Sequence, residues 1–351
     1  MWLLNILLLI LILGVLILVH EIGHFIFARK SGVHIYEFAL GMGPVIYSKK
    51  GKKYGTLYNI RLFPIGGFVN MAGEVSEDDT TIPKEKFMCN KTGLQKLLIL
   101  IGGVTFNVLL AWILLFASAL IWGSSNLAPV IGDVAPDFPI AEAGIVPGDR
   151  IIEINGRKVR TWDKAQLVLN LNHEGPFEFI IKHPDNSTSE YEITPKLTTM
   201  EDGSEREVFG FSIDGTKERG LFTSLRFATL KLGSVISSMY LVITNLFTGG
   251  ISLNALAGPV GIYSVVGASA AAGAESIIYI VAFLSINLAF INFLPFPAFD
   301  GGRILFLGIE KIKGSPVNAK VENAFHTVGF ILLMLLMVYI TFQDILRLFL
   351  T

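Results

Sequence analysis

Two histidines and a glutamate lie close together near the N-terminus, within an otherwise apolar stretch of the chain. His20, Glu21 and His24 form the pattern His-Glu-x-x-His. Residues four positions apart share one face of a helix, so His20 and His24 are placed to bind one zinc ion with Glu21 beside it. Ionisable side chains are rare within a membrane helix unless they serve a function. The pattern therefore predicts a zinc site inside a membrane-spanning helix.

A catalytic zinc ion needs a third protein ligand and one open position for water. The chain has a single cysteine, Cys89, so the third ligand must be a His, Asp or Glu. Asp300 is the candidate, because it follows an apolar segment that ends in two prolines and precedes Gly301 and Gly302. An Asp before two glycines is most often only a turn residue. The predicted topology favours the ligand, since it brings Asp300 to the level of His24.

Composition limits the chain to a membrane protein. Of 351 residues 52% are hydrophobic and 16% are charged, and the mean hydropathy is +0.59. A net charge of -1 argues against nucleic acid as a partner. About 20 apolar residues cross a bilayer. We predict a polytopic α-helical membrane protein with about four transmembrane helices, at residues 3–27, 97–122, 277–296 and 324–342.

The positions of Lys and Arg predict how the chain is oriented in the membrane. These residues are concentrated in the loops after the first and third predicted spans, and such loops are usually cytoplasmic. Both termini are then outside, and the metal motif lies near the cytoplasmic side. The membrane core has two halves, 1–125 and 251–351. Between them we predict an extracytoplasmic domain at 126–220, and at 221–250 an amphipathic helix on the membrane surface, with a fifth span as the alternative.

The loop between the first two predicted spans contains strand-forming residues. Residues 54–62 favour a strand, and residues 64–71 favour a turn followed by a short strand. We therefore predict a β-hairpin at about 54–71. Its apolar faces and its position beside the metal helix indicate a membrane-associated hairpin that dips into the bilayer, where backbone persists only if it is buried in protein or lines a wet cavity. A plain surface hairpin is the alternative.

The predicted extracytoplasmic domain has the pattern of a small α+β fold. Asn155-Gly156 between two apolar strands is typical of a type I′ β-hairpin turn. A segment with helical spacing follows, and then two further strands. This order resembles a PDZ domain, which binds an extended peptide by adding it to a sheet edge. A domain that serves only as a spacer is the alternative.

Taken together, the motifs resemble the site-2 protease family of intramembrane zinc metalloproteases, of the bacterial regulator-of-sigma-factor type with one PDZ domain. In chain order the matching motifs lie at 20–24, 41–44, 64–71, 258–262 and 292–301. The last of these reads Asn292-x-x-Pro295-x-x-x-x-Asp300-Gly301. Phe299 departs from the Leu that is common before this aspartate, but one apolar residue replaces another.

The resemblance implies a function and a set of site residues. It implies regulated intramembrane proteolysis in the bacterial inner (cytoplasmic) membrane, with hydrolysis within the transmembrane segment of single-span proteins such as anti-sigma factors or remnant signal peptides. The PDZ-like domain then binds a chain end or excludes large substrates. The implied residues are the zinc ligands His20, His24 and Asp300, the general base Glu21, and the substrate-binding residues Asn292, Gly66, Gly67, Phe68 and Val69.

A second class of function uses the same metal ligands without proteolysis. A zinc-binding membrane scaffold, or a transporter with intramembrane His and Asp, is the alternative. Its weakness is Glu21, which a pure binding site does not require. A transporter is also expected to have repeated halves, and the sequence has no evident repeat.

Overall fold

A computed structural model describes residues 2–74, 81–171, 175–199, 205–253, 256–315 and 317–350. The chain forms two compact units. The first unit joins both ends of the sequence, Met1–Leu114 and Leu256–Thr351, and the second is the intervening Leu115–Ala255. The first unit is therefore built from the two ends of the sequence, and the second is formed by the segment between them.

Helices account for most of the first unit, and three of the described helices, α3 to α5 in the list that follows, belong to the second. In chain order the described α-helices are α1 (Trp2–Lys30), α2 (Gly93–Trp122), α3 (Pro139–Glu142), α4 (Trp162–Leu169), α5 (Leu221–Thr248), α6 (Pro259–Ala272), α7 (Ala274–Phe293), α8 (Asp300–Lys313) and α9 (Ala319–Leu350). Two short 3₁₀ helices, Lys84–Lys86 and Met88–Asn90, precede α2.

Two long strands belong to the first unit and ten short ones to the second. The described strands are β1 (Ile35–Lys50), β2 (Leu57–Met71), β3 (Ser124–Ser125), β4 (Ile131–Val134), β5 (Arg150–Ile154), β6 (Arg157–Lys158), β7 (Phe177–Lys182), β8 (Thr188–Ile193), β9 (Lys196–Thr199), β10 (Glu205–Val208), β11 (Phe211–Ile213) and β12 (Lys217–Glu218).

The structure has one more candidate membrane span than the sequence predicts. Within the described residues, five helices are long and apolar enough to cross a bilayer: α1, α2, α5, α7 and residues Lys320–Arg347 of α9. The additional helix is α5. Its mean hydropathy of 1.4 is the lowest of the five and is less than half the value of 3.1 for α1. Several such helices in one chain are the property of a polytopic membrane protein.

The third predicted span ends earlier than expected, and proline is the reason. Helix α7 ends at Phe293 rather than at residue 296. Leu294 is extended, with φ -61° and ψ 139°, because the residue before a proline avoids the helical conformation. Asp300 consequently lies at the start of a separate amphipathic helix, α8, which the sequence did not predict.

The β-hairpin also differs from the prediction. The sequence places a turn and two short strands within 54–71, whereas β2 runs as one strand from Leu57 to Met71 and pairs antiparallel with β1. Pro64 lies inside this strand, at an irregular part of the ladder where a missing N–H donor is tolerated. The partner strand β1 was missed because it contains Gly41, Gly43 and Pro44, which read as a loop.

The long hairpin folds back on itself at its glycines. Phe38 in β1 pairs with Val69 on one side and with Tyr58 on the other, so part of β1 lies between two segments of β2. Gly41 and Gly66 have φ of 87° and 90°, a left-handed conformation that glycine adopts without steric strain. The segment of β2 that ends at Met71 thereby becomes the outer edge of the sheet beside α1.

Helix α1 buries one narrow stripe of side chains. Ile12, Leu16, His20, His24 and Ala28 are buried, and they recur every four residues. This spacing places them on one face of the helix. The two metal-motif histidines are therefore part of the packed face of α1 rather than of its outer surface.

A buried aspartate explains the glycine-proline motif at 258–262. Asp344 of α9 is 4% exposed, and its Oδ2 accepts a hydrogen bond of 2.8 Å from the backbone N–H of Gly261. A side chain at Gly258 would lie 2.8 Å from the same oxygen. The carboxylate thus caps the N-terminus of α6, where free N–H groups and the helix dipole favour negative charge.

The second unit is a small α+β fold around an apolar core. Its main sheet has the order β6-β5-β7-β8, and β4 pairs with β11. Phe179, Ile151 and Ile181 are fully buried in the core. Asn155 and Gly156 have φ of 48° and 71°, which is the type I′ geometry that their sequence predicts.

Helix α5 packs against this fold through a polar network. Lys231 is 8% exposed, and its Nζ donates to Asp163 Oδ1 at 2.6 Å. Ser234 Oγ donates to Asp163 Oδ2 at 2.7 Å. The opposite face of α5 carries exposed apolar side chains, with Phe222 and Phe247 each 85% exposed. One face of α5 is therefore fixed by polar contacts, and the opposite face carries exposed apolar side chains.

Candidate metal centre

Three ligand atoms from two distant parts of the chain converge in the first unit. Asp300 Oδ2 lies 3.1 Å from His20 Nε2 and 3.3 Å from His24 Nε2, and the two imidazole nitrogens are 3.1 Å apart. In the described part of the chain these three residues form the one group of His, Cys, Asp or Glu able to hold a metal ion. The structure thus brings together the three predicted ligands.

The chemistry of these atoms fits a bound cation. Asp300 Oδ2 is buried without a hydrogen-bond partner among the described residues. When the Nδ1 atoms carry the protons, three acceptor atoms face one another with no donor between them. A tetrahedral zinc ion with ligands at about 2.0–2.2 Å keeps them about 3.3–3.6 Å apart, close to the separations observed. The three residues therefore fit zinc.

A hydrogen bond to the backbone of α2 fixes the orientation of the His24 imidazole. Its Nδ1 lies 2.8 Å from the backbone oxygen of Ile99 on α2. A carbonyl oxygen only accepts, so His24 Nδ1 carries the proton and Nε2 presents its lone pair to the centre. Hydrogen bonds of this kind set the tautomer and the ring plane of metal-binding histidines.

Asn107 on α2 supports His20 in the same way. Its side-chain amide lies 3.5 Å from His20 Nδ1, and its Oδ1 is buried without a partner among the described residues. Turning the amide by 180° exchanges its N and O atoms, which satisfies Oδ1 and gives His20 Nδ1–H an acceptor. Ser285 of α7 bonds to the backbone oxygen of Asn107 at 2.8 Å, so α7 holds α2 at this level.

Glycines allow α1 and α2 to touch beside the metal ligands. A side chain at Gly23 would overlap the backbone oxygen of Gly102, and one at Gly102 would lie 2.8 Å from the backbone oxygen of Gly23. A side chain at Gly103 would lie 2.5 Å from His24 Nε2 and 2.5 Å from His20 Cε1. Small residues at such crossings are typical of helix packing in membranes.

This contact predicts a strong effect of one added methyl group. We expect Gly103→Ala to reduce zinc content and any zinc-dependent activity by about tenfold or more, because the new Cβ displaces two ligand imidazoles and a misplacement of 1 Å costs up to about 100-fold. Gly93→Ala on the same helix is the control, since nothing lies within 4 Å of its added Cβ. Zinc per purified chain measures the effect. Wild-type zinc content and activity in Gly103→Ala would show that this contact does not shape the site.

The segment before Asp300 is held by α9. Ala298 has φ 74°, a strained value for a residue with a side chain, and its backbone N–H donates to His326 Nδ1 at 3.1 Å. Gly329, one turn later on α9, leaves the space that Pro297 occupies. Helix α9 therefore fixes the turn from which Asp300 projects.

A cleft of about 640 Å³ opens onto the three ligands. Glu21, Phe68, Val69 and Asn292 line it, together with apolar residues of α1, α7 and α9. An added Cβ on Gly67 would lie 3.3 Å from Glu21 Cγ, so the edge of β2 passes directly beside the glutamate. Four predicted residues thus share the cleft with the ligands, and Gly67 adjoins it.

Among the described residues Gly66, unlike Phe68 and Val69, does not line the cleft but lies where the hairpin folds back. It is not among the residues that line the cleft within the described chain, and an added Cβ on it would lie 3.1 Å from the end of the Met42 side chain. Its φ of 90° identifies it as part of the fold-back of the hairpin. Gly66 therefore shapes the strand that reaches the cleft.

Sequence reasoning missed the residues that support the ligands. Gly102, Gly103 and Asn107 all lie in one apolar span, α2, and belong to none of the motifs. A pair of glycines and a lone amide in such a span are signals of close packing and of a buried polar contact. The helices that they join are known only from the structure.

Comparison with known proteins agrees with this centre. The model of peptidase family M50 matches residues 8–336. A Clostridium perfringens protein whose name describes a zinc metalloprotease is 37% identical over 333 residues, which cover 94% of this chain and 95% of that protein. The regulator of sigma-W protease RasP of Bacillus subtilis is 31% identical, with 97% and 98% covered. A Clostridium acetobutylicum protein with a name of the same kind is 34% identical, with 97% of each chain covered.

The family match extends over both the His-Glu-x-x-His motif and Asp300, and the relatives share almost the whole length of the chain. Together with the apolar helices, these findings establish the class of protein, its chemistry and its metal. The chain is a multi-pass membrane zinc metalloprotease and belongs to peptidase family M50, the site-2 protease family.

Proposed function

We propose that this metalloprotease hydrolyses a peptide bond within the transmembrane segment of single-span membrane proteins. One observation carries the proposal. Two of the three converging ligands, His20 and His24, are buried on a helix long and apolar enough to cross a bilayer, so the reacting centre belongs to a membrane helix and not to the inserted unit. A peptide bond reaches such a centre most directly from within the bilayer.

The roles of the central residues follow from their chemistry. His20, His24 and Asp300 hold the zinc, and Glu21 is the general base. When bound, zinc acts as a Lewis acid that polarises the scissile carbonyl and makes water more acidic. Glu21 lines the same cleft without being one of the three converging ligands, which is the position that a general base requires.

The reaction moves one proton through Glu21. The carboxylate takes a proton from water as the water oxygen attacks the carbonyl carbon. The carbon–nitrogen bond then breaks, and Glu21 returns the proton to the leaving amine. The atoms balance, with one water consumed and a new carboxyl and amino end formed.

The edge of β2 is the proposed binding site for the substrate. A helical substrate hides its carbonyls in internal hydrogen bonds and must become extended before cleavage. Gly67, Phe68 and Val69 offer an edge strand beside Glu21, and an extended segment is able to pair with it by strand addition. Asn292 faces the same cleft and supplies an amide for the substrate backbone. The Cζ atom of Arg61 lies 5.1 Å from the centroid of the Phe68 ring, and this cation–π contact stabilises the edge strand.

The hairpin carries features of a membrane-associated element. Its fold-back exposes Met42, Ile46, Leu62 and Phe63, each at least half exposed. Lysines 49, 50, 52 and 53 lie at the other turn, where they are suited to anionic headgroups. An apolar fold-back next to a basic turn supports a hairpin that dips into the bilayer beside the metal helix α1.

Topology and localisation follow the charge pattern. We propose a bacterial cytoplasmic membrane protein with both termini outside and with the metal centre towards the cytoplasmic side.

We further propose that α5 lies on the membrane surface, so that four helices span the bilayer. Its polar face is bound to Asp163 through Lys231 and Ser234, and its opposite, apolar face is free to enter the interface.

The substrate class and the inserted unit complete the proposal. The name of the Bacillus subtilis relative describes a regulator of sigma-W, and we propose that this chain likewise cuts membrane-bound anti-sigma factors or remnant signal peptides.

We assign the 126–220 region to a PDZ-like domain that binds a chain end or excludes uncut, bulky substrates. Strand β11 pairs with β4, and its second edge is the candidate site for such an end.

A reporter cleavage assay tests the proposed activity. The full chain in lipid nanodiscs receives a single-span reporter with a known transmembrane sequence, and products are located by mass spectrometry. We expect cleavage inside the span, loss of cleavage on chelation and recovery on adding zinc. A matched reporter with a poly-leucine span is expected to be cut far more slowly, because its helix unwinds less readily. Zinc-loaded protein that leaves the spans intact, or cuts only outside them, would overturn the proposal.

A further inference from the structure

A second cavity, of about 130 Å³, lies beside the metal cleft. It differs in character, because five charged side chains line it together with the single thiol of the chain, Cys89. The charged residues are Glu74, Lys96, Arg303, Glu310 and Glu322.

The metal cleft and this charged cavity share two lining residues, Glu74 and Arg303. These two form an ion pair through Arg303 Nη1 and Glu74 Oε1. The side chain of Glu74 is 16% exposed and that of Arg303 is 34% exposed. The ion pair therefore borders both the metal cleft and the charged cavity, as the partition between them. It is partly shielded from solvent.

The pair also links two functional segments. Glu74 comes three residues after the end of β2, whose edge lies beside Glu21. Arg303 comes three residues after Asp300 on α8, and residues three apart share a helix face. A single ion pair thus connects the strand that presents substrate to the segment that presents a metal ligand.

We propose that Glu74 and Arg303 are positioning residues that hold the substrate-binding edge of β2 in register with the metal centre and keep the charged cavity closed from the cleft. This inference rests on the proposed function, since it takes β2 as the substrate edge. In the described part of the chain, neither residue has a hydrogen bond or an ion pair to a metal ligand. The pair acts through the segments that it joins.

A charge-reversal cycle on full-length protein in nanodiscs tests the inference. Glu74→Arg and Arg303→Glu each place like charges together, and we expect each to lower kcat for the reporter by about tenfold or more, with zinc content retained. The double variant restores an ion pair with exchanged charges and is expected to recover kcat to within a few-fold of wild type. Glu310→Gln is the control, because the pair of Glu310 with Lys96, at 3.8 Å, does not border the metal cleft.

A second readout separates positioning from general stability. Cys89 lines the charged cavity, so its rate of alkylation by N-ethylmaleimide reports opening of the partition in folded, zinc-bound protein. We expect faster alkylation in both single variants and a wild-type rate in the double variant. Single variants with wild-type kcat and alkylation, or a double variant that recovers neither, would overturn the inference. If the wild-type chain fails to cut the reporter, the proposed function itself fails, which distinguishes the two.

Discussion

Replacing Asp300 with alanine is expected to remove zinc and peptidase activity together. Asp300 Oδ2 is the sole ligand atom in the cluster that comes from outside α1, and it lies 3.1 and 3.3 Å from the two imidazole nitrogens. Loss of an outer partner of a metal site already costs about 10–100-fold in affinity, so loss of the ligand itself is expected to cost more than about 100-fold. Zinc per chain after dialysis, and cleavage of the reporter, measure the two effects.

Asp133→Ala is the control for this change, because Asp133 is an exposed aspartate on β4 in the other unit. It is expected to keep both zinc and activity. A zinc-free Asp300→Ala protein that folds as the wild type does would support the ligand role. Full zinc occupancy in Asp300→Ala would refute it and would move the third ligand elsewhere.

Replacing Glu21 with glutamine is expected to stop catalysis while leaving the metal in place. Glutamine has nearly the same shape but cannot accept a proton at neutral pH, and loss of a general base costs about 10²–10⁴-fold in rate. Glu21 is not one of the three converging ligands, so zinc content should stay at the wild-type level. Metal analysis and single-turnover cleavage of the reporter on the same preparation separate the two effects.

Glu85→Gln is a suitable companion variant, because Glu85 is exposed in a short 3₁₀ helix. It should have wild-type kinetics. Activity of Glu21→Gln within a few-fold of wild type would contradict the role of Glu21 as base. Such a result would favour another proton acceptor in the cleft.

The metal residues could be predicted because their chemistry is visible in local patterns. His20 and His24 are four apart, and this spacing alone puts both on one helix face. Asp300 required a second step, in which the topology brought a distant turn to the same level. The structure agrees in bringing the three atoms together, although it places Asp300 on a new helix and not at the end of a span.

The hairpin shows where local patterns stop being sufficient. Pro64 and Gly66 suggested a turn, because both residues usually interrupt strands. The pairing of both ends of β2 with β1 overrides that local preference. Positive φ at the glycines lets the strands bend without ending. Contacts between strands that are distant in sequence decide such cases, and a single sequence does not contain them.

Helix α5 is a case in which composition alone is ambiguous. Its length and mean hydropathy suit a membrane span, whereas Arg226 and Lys231 suit a surface helix. The burial of Lys231 against Asp163 resolves what this face contacts within its unit. No feature of the sequence identified Asp163 as the partner, because the two residues are far apart in the chain.

The most direct test of intramembrane proteolysis compares membrane fractions from cells that express the wild-type chain or Glu21→Gln, by quantitative mass spectrometry. We predict that short single-span fragments, already cut outside the membrane, accumulate only with the Glu21→Gln variant, and their sequences would name the substrates. Identical fragment profiles, with zinc bound to both proteins, would contradict intramembrane proteolysis and would favour a metal-binding membrane protein without proteolytic activity in that cell.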